Sequence, residues 1–218
     1  MPPDELLTKG ERTRKGIMEA AYELFLKQGY AATSMRQIAE QAGLALGGIY
    51  NHFGSKEAIF SELILDRHPF WQVLPILLNT PSDDLESFVR IAAQAMVSEL
   101  GRRPDFIKLM LIEIVEFDGR NMPRLIERLL PQILPTVERF GQFKRLLNKM
   151  PPLVFFRAFI GFFFSYYITE FMIAGTPLAL TQGNALDHFV EIFLHGVLRG
   201  AHRTRRVSPK GDAEKEQA

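Results

Sequence analysis

Apolar residues recur at spacings of three and four along almost the whole of this 218-residue chain and nowhere alternate one by one. A period of 3.6 builds helices and a period of 2 builds strands, so the pattern predicts an all-α fold. Ile17, Ala20, Ala21, Leu24 and Phe25 fall at i, i+3, i+4, i+7 and i+8, which predicts a helix over Thr13–Gln28 stopped at Gly29. Ser34-Met35-Arg36-Gln37 has the form of a capping box. The helix it opens carries Met35, Ile38, Ala39 and Ala42 on one face and ends at Gly43. A short segment over Ala45–Phe53 follows. Ser55 then caps a helix beginning at Lys56, which Pro69 and Pro75 should kink or end because each lacks a backbone donor. Further helices are expected near Asp84–Leu100, Pro104–Phe117, Pro123–Leu147, Leu153–Ala174 and Ala185–His202, with Pro131 and Pro135 breaking the third of these. The polar tail after Thr204 is expected to be disordered.

Composition narrows the function. Cysteine is absent, which excludes a disulfide framework, a thiolate metal site and a cysteine nucleophile. Lys and Arg total 26 against 25 for Asp and Glu, so the net charge of +1 names no partner and any such reading must come from local arrangement. The N-terminus lacks a basic region followed by an apolar run, so a cytoplasmic location is expected. Leu153–Ala174 is long enough to span a bilayer, but Arg157 and Glu170 would each cost about 2.5–3.5 kcal/mol near its centre. It reads as a core or interface helix, with no membrane expected.

Residues 33–56 carry the most specific signal. Two short helices that cross steeply need a small residue where they touch, a glycine in the turn and a branched apolar residue turned inward on the second helix. Ala39, Gly43 and Ile49 stand at that spacing. This is the pattern of a helix-turn-helix, whose second helix enters the major groove of double-stranded DNA. Arg12, Arg14 and Lys15, with Ser34, Tyr50, His52 and Lys56, gather where a phosphate backbone would pass. Ser34 and Ser55 also begin helices, whose free N–H groups favour phosphate. One feature runs the other way: residues 1–60 hold seven basic and seven acidic side chains, so the cations must share a face and the salt dependence should be modest.

The run Ile38-Ala39, Ala42-Gly43, Ile49-Tyr50, His52-Phe53 and Ser55-Lys56-Glu57-Ala58 resembles the DNA-binding domain of the TetR family of transcriptional regulators. The resemblance covers roughly residues 12–65. It implies a three-helix DNA-binding domain over residues 1–55, a helical effector-binding and dimerisation domain over 56–204, and a tail over 205–218. It further implies a homodimer on a near-palindromic operator, most simply a repressor. A small-molecule effector would release it by moving the helix that starts at Lys56. Carried across by position, Arg36 matches a base- or phosphate-contacting site, Tyr50, His52 and Lys56 match phosphate contacts, and Leu46, Gly47 and Gly48 match positions facing base edges. Thr33, Ser34, Gln37, Ala45 and Asn51 complete the expected DNA contacts. The family usually has polar residues where this chain has Ala45-Leu46-Gly47-Gly48, so specificity is expected to rest on Arg36, Gln37, Asn51 and DNA shape. Leu46 could meet a thymine methyl or pack against its own domain.

In the C-terminal part, Trp71, Phe106, Met110, Glu113, Phe117, Leu134 and Tyr167 are candidate walls of a pocket for a lipophilic or aromatic effector, with one carboxylate to orient it. Core packing would use the same residue types. Arg157, Gly161 and Ser165, with Phe189, Phe193, Gly196 and Gly200, are candidates for the dimer interface that the resemblance assigns to the last two helices. The competing class is an enzyme. His188, Glu191 and His195 stand at i, i+3 and i+7 and could hold a metal, but they lie opposite the apolar stripe of that helix. A Ser-centred elbow, a phosphate-cradling glycine loop and a buried carboxylate pair are missing from the sequence. Neither catalysis nor a cofactor or metal is expected.

Overall fold

Thr8 caps the first helix, which starts at Lys9, four residues before the expected Thr13. Its hydroxyl accepts from the Glu11 amide while the Glu11 carboxylate reaches back to the Thr8 amide, a full capping box. In the computed structural model, which describes residues 7–81, 84–143, 145, 150–177, 179 and 185–197, helix is the only regular element. The order is α1 (Lys9–Gln28), α2 (Met35–Gln41), α3 (Leu46–Tyr50), α4 (Lys56–Asp66), α5 (Phe70–Asn79), α6 (Leu85–Gly101), α7 (Asp105–Phe117), α8 (Met122–Gly141), α9 (Pro152–Ile173) and α10 (Ala185–Val197). Gly200 and the tail over 205–218 lie outside the described residues.

Two compact units emerge, one from Met1–Asn79 with Ala95–Thr136, the other from Thr80–Gln94 with Val137–Ala218. In the first, α1, α2, α3 and α4 close on Ile17, Ala21, Phe25, Ile38, Ile49, Phe53 and Phe60, all buried. Here α7 lies along α1: the Tyr22 hydroxyl meets Asp105 at the start of α7, and Tyr30 meets Phe117 at its end, ring centroids 5.0 Å apart. Phe117 stacks on Phe60 of α4 at 4.7 Å with the rings nearly parallel. The second unit is built on Phe140, whose ring meets those of Phe88, Phe155, Phe156 and Phe159. Arg90 binds Asp187 and Glu191 of α10 there.

Proline behaves differently at three places. Pro69 does separate α4 from α5, but Pro75 sits inside α5, and Pro131 and Pro135 sit inside an unbroken α8. The expected break in α8 is therefore corrected. Leu125, Leu129, Thr136 and Phe140 form its buried stripe, while Pro131 is exposed on the other flank and Glu127, whose carbonyl loses its partner there, is exposed too. Water satisfies a freed carbonyl on that side, so burial of the stripe holds the helix together.

Candidate DNA interface

Gly43 takes φ 68 between α2 and α3, a conformation only glycine adopts freely, and the Leu44 amide donates back to the Ala39 carbonyl. Ala39 and Ile49 are fully enclosed where the two helices touch. Ser34 caps α2 with its hydroxyl on the Gln37 amide, and the Gln37 side-chain oxygen accepts from the Ser34 amide in return. The Gln37 oxygen is thus engaged in the cap. Arg36 projects from α2 with 78% of its side chain exposed, beside Glu40 at 3.2 Å.

The outward face of α3 is apolar and small. Ala45 makes no side-chain cap bond, and Leu46 is 45% exposed, so it is not a core residue of its own domain. Gly47, Tyr50 and Asn51 are exposed, and Gly48 and His52 half-buried. A Cβ added at Gly47 would meet nothing within 4 Å. Thr33 is a correction: it is 2% exposed, its hydroxyl donates to the Gly29 carbonyl and accepts from Gln28, and it fixes the turn from inside.

Three cations differ from expectation. Arg12, outside the expected helix over Thr13–Gln28, lies within α1 together with Arg14 and Lys15. Arg14 keeps 39% of its side chain exposed but is engaged by the protein: its Nη1 donates to the His52 carbonyl at 2.7 Å, and its guanidinium lies 3.9 Å over the Phe53 ring, beside Glu62. Lys56 Nζ donates to the Tyr30 and Thr33 carbonyls at 2.7 and 2.8 Å and sits 4.1 Å above the Tyr30 ring. Tyr30 in turn donates to Glu57, and burial raises its phenol well above the ordinary range. No sequence pattern marks these engagements, because a lysine at a helix start reads the same whichever way it points.

Residues 17–63 match the family described as bacterial regulatory proteins, tetR family. The HTH-type transcriptional regulator YvkB of Bacillus subtilis, itself uncharacterised, is 26% identical over 85% of this chain and 97% of its own length. The first four helices are thus similar to the DNA-binding segment of the tetR family, and the chain as a whole is similar to an HTH-type transcriptional regulator. Among solved structures, NalD, the secondary repressor of the MexAB-OprM multidrug efflux pump in Pseudomonas aeruginosa, is 27% identical with a TM-score of 0.59 over 88% of this chain and 100% of that one. A chain described as a TetR-family regulator of Mesorhizobium loti shares the fold at a TM-score of 0.65, with 24% identity over 88% of this chain and all of its own. A regulator of this family is a DNA-binding protein and not an enzyme.

The residues expected to wall an effector pocket depart from the sequence reading. Glu113 is fully buried and accepts from the Asn121 amide at 2.8 Å and its side chain at 2.7 Å, so it closes the turn after α7 and orients no ligand. Trp71 donates to the Leu65 carbonyl, Phe117 is stacked in the core, Met110 is half-buried, Leu134 is 57% exposed, and Tyr167 belongs to the other unit. Of the seven proposed walls only Phe106 lines the cleft of about 610 Å³ in the first unit. That cleft also takes in Arg14, Met18, Tyr22, Arg67 and Arg103, and its rim is charged where an apolar one was expected.

On α9 and α10 the candidate interface separates into two sets. Arg157, Gly161, Ser165 and Gly196 are exposed. Phe193 is buried within the protomer, and Phe189 packs on Phe162 and Tyr166 of α9, so both join α9 to α10. His188, Glu191 and His195 face outward as expected, with Glu191 held by Arg90. By length and composition α9 could cross a membrane, yet six of its aromatic residues are buried against the protein.

Proposed function

We propose that this regulator is a homodimeric repressor that occupies a near-palindromic operator in the cytoplasm and leaves it when a small molecule binds. The observation that carries the reading is α3: Ile49 anchors it inside, while Leu46, Gly47 and Tyr50 are offered outward. A surface of that kind suits close approach to the major groove, with half-sites about 34–36 Å apart or a multiple of that. The exposed Arg157, Gly161, Ser165 and Gly196 support pairing of two copies through α9 and α10. NalD, similar over its whole length, is a repressor, which supports that sense of regulation. The division of labour is a reader over residues 1–55 and an effector and dimerisation part over 56–204. The cleft between α1, α4 and α7 has an apolar floor (Met18, Phe106, Leu109) and a charged rim, so an effector with an aromatic or aliphatic body and a polar end is favoured over a purely lipophilic one.

Fluorescence anisotropy on the DNA beside its own gene, at several salt concentrations and against a scrambled duplex, tests the reading. Selective, salt-dependent binding that Arg36→Ala weakens is the expected result. Equal affinity for both duplexes would count against an operator in that DNA.

A further inference from the structure

We propose that Lys56 and Arg14 are positioning residues of the DNA reader: their charged groups are engaged by the protein's own carbonyls and rings to hold the two ends of the helix-turn-helix, and neither neutralises a phosphate. The inference rests on the DNA-binding reading above and assigns roles within it. Lys56 stands in the first turn of α4. An ammonium has three donors; two reach the Tyr30 and Thr33 carbonyls, and the charge lies over the Tyr30 ring. Those carbonyls flank the turn that leads into Ser34, the cap of α2, so Lys56 ties α4 to the entrance of the reader. Arg14 does the same at the exit. It holds the His52 carbonyl two residues past the end of α3, with its guanidinium over Phe53 and against Glu62 of α4.

Charge-assisted bonds to a carbonyl are short and directional, so they fix where α2 starts and where α3 ends. Moving either cation to a phosphate would break two bonds or a bond and an ion pair, and would leave Tyr30 or Phe53 without the charge on its face. Of the seven basic side chains in residues 1–60, these two are then engaged within the protein. The reader should therefore owe its selectivity, more than its raw affinity, to Lys56 and Arg14.

The salt dependence separates the two roles, because each phosphate contact contributes about 0.9 to the slope of log K on log salt, hence about 1.8 for two subunits. The full chain is used to enrich a duplex from a random-sequence pool. Affinity for that duplex and for a scrambled one is then measured at several salt concentrations with wild type, Lys56→Met and Arg14→Met. For each variant we expect a loss of about tenfold on the enriched duplex, less than about twofold on the scrambled one, and an unchanged slope. A slope shallower by about 1.8, with both duplexes losing equally, overturns the proposal in favour of a phosphate contact. A lower melting temperature with both affinities intact overturns it in favour of a purely structural role. Amine labelling of the wild-type protein gives a readout that does not depend on variants folding. Lys56 should label more slowly than Lys9, Lys15 and Lys27 in the free protein and gain no further protection from the enriched duplex. Labelling as fast as the others, followed by shielding on DNA, is the contrary result. If wild type enriches no duplex at all, the DNA-binding reading itself fails, a result distinct from either of these.

Discussion

Glu113 has no access to water, and its two oxygens accept one hydrogen bond from the backbone amide and one from the side-chain amide of Asn121. Removing the carboxylate leaves those half-buried donors without their partner. Glu113→Ala is therefore expected to lower the unfolding free energy by about 2–3 kcal/mol, read as an earlier urea midpoint with no new ligand phenotype. A midpoint that does not move would mean that water replaces the carboxylate. His68, between α4 and α5, is enclosed by Phe70 and Phe106, and burial pushes its imidazole down to about 3. The native state thus holds it neutral while the unfolded chain takes up a proton below about pH 6.5. Its stabilising effect is complete above that pH and is lost as pH falls towards 3, at about 1.4 kcal/mol per unit. Urea melts from pH 7 to pH 4 should show a flatter pH dependence for His68→Phe than for wild type, and parallel curves would rule the account out.

At the scale of elements, the helices legible in the sequence were those with a chemical mark at each end. Ser34 and Gln37, Gly43, and Ser55 delimit α2, α3 and α4 because caps and turns are local chemistry. The stretch that starts α1 was missed because Thr8 and Glu11 cap a turn that contributes nothing to the apolar stripe. The continuity of α8 was missed for a related reason: a proline's cost depends on which flank it occupies, and burial along Leu125, Leu129 and Phe140 decides that only after folding. Much the same holds for the site. The exposed residues of α2 and α3 follow from the pattern, whereas the engagement of Arg14 and Lys56 by carbonyls and the closing role of Glu113 depend on long-range packing. The glycines of α3 allow a test of their own. A methyl at Gly47 meets no neighbour, so Gly47→Ala should stabilise the protein by about 0.5–1 kcal/mol. If the backbone there approaches DNA closely, the same change should weaken selective binding. A more stable variant with unaltered affinity would show that the close approach is not needed.

For the whole molecule, the proposed pairing of two copies through α9 and α10 can be tested directly. Ser165→Arg places a long charged side chain in the exposed stripe with Gly161 and Arg157. Sedimentation velocity should then report a monomer, with helicity retained and selective DNA binding sharply reduced. A variant that stays dimeric would move the interface elsewhere. The way α7 lies against α1 has a mechanical consequence. It is fastened at both ends, by Asp105 on Tyr22 of α1 and by Phe117 on Tyr30 in the turn just after α1, anchors about 18 Å apart along α7 at 1.5 Å per residue. A rod pinned at one point pivots and dissipates a push as rotation. Pinned at two, it resists pivoting, and a push along α7 is passed as displacement both to α1 and to the turn that leads from α1 into α2.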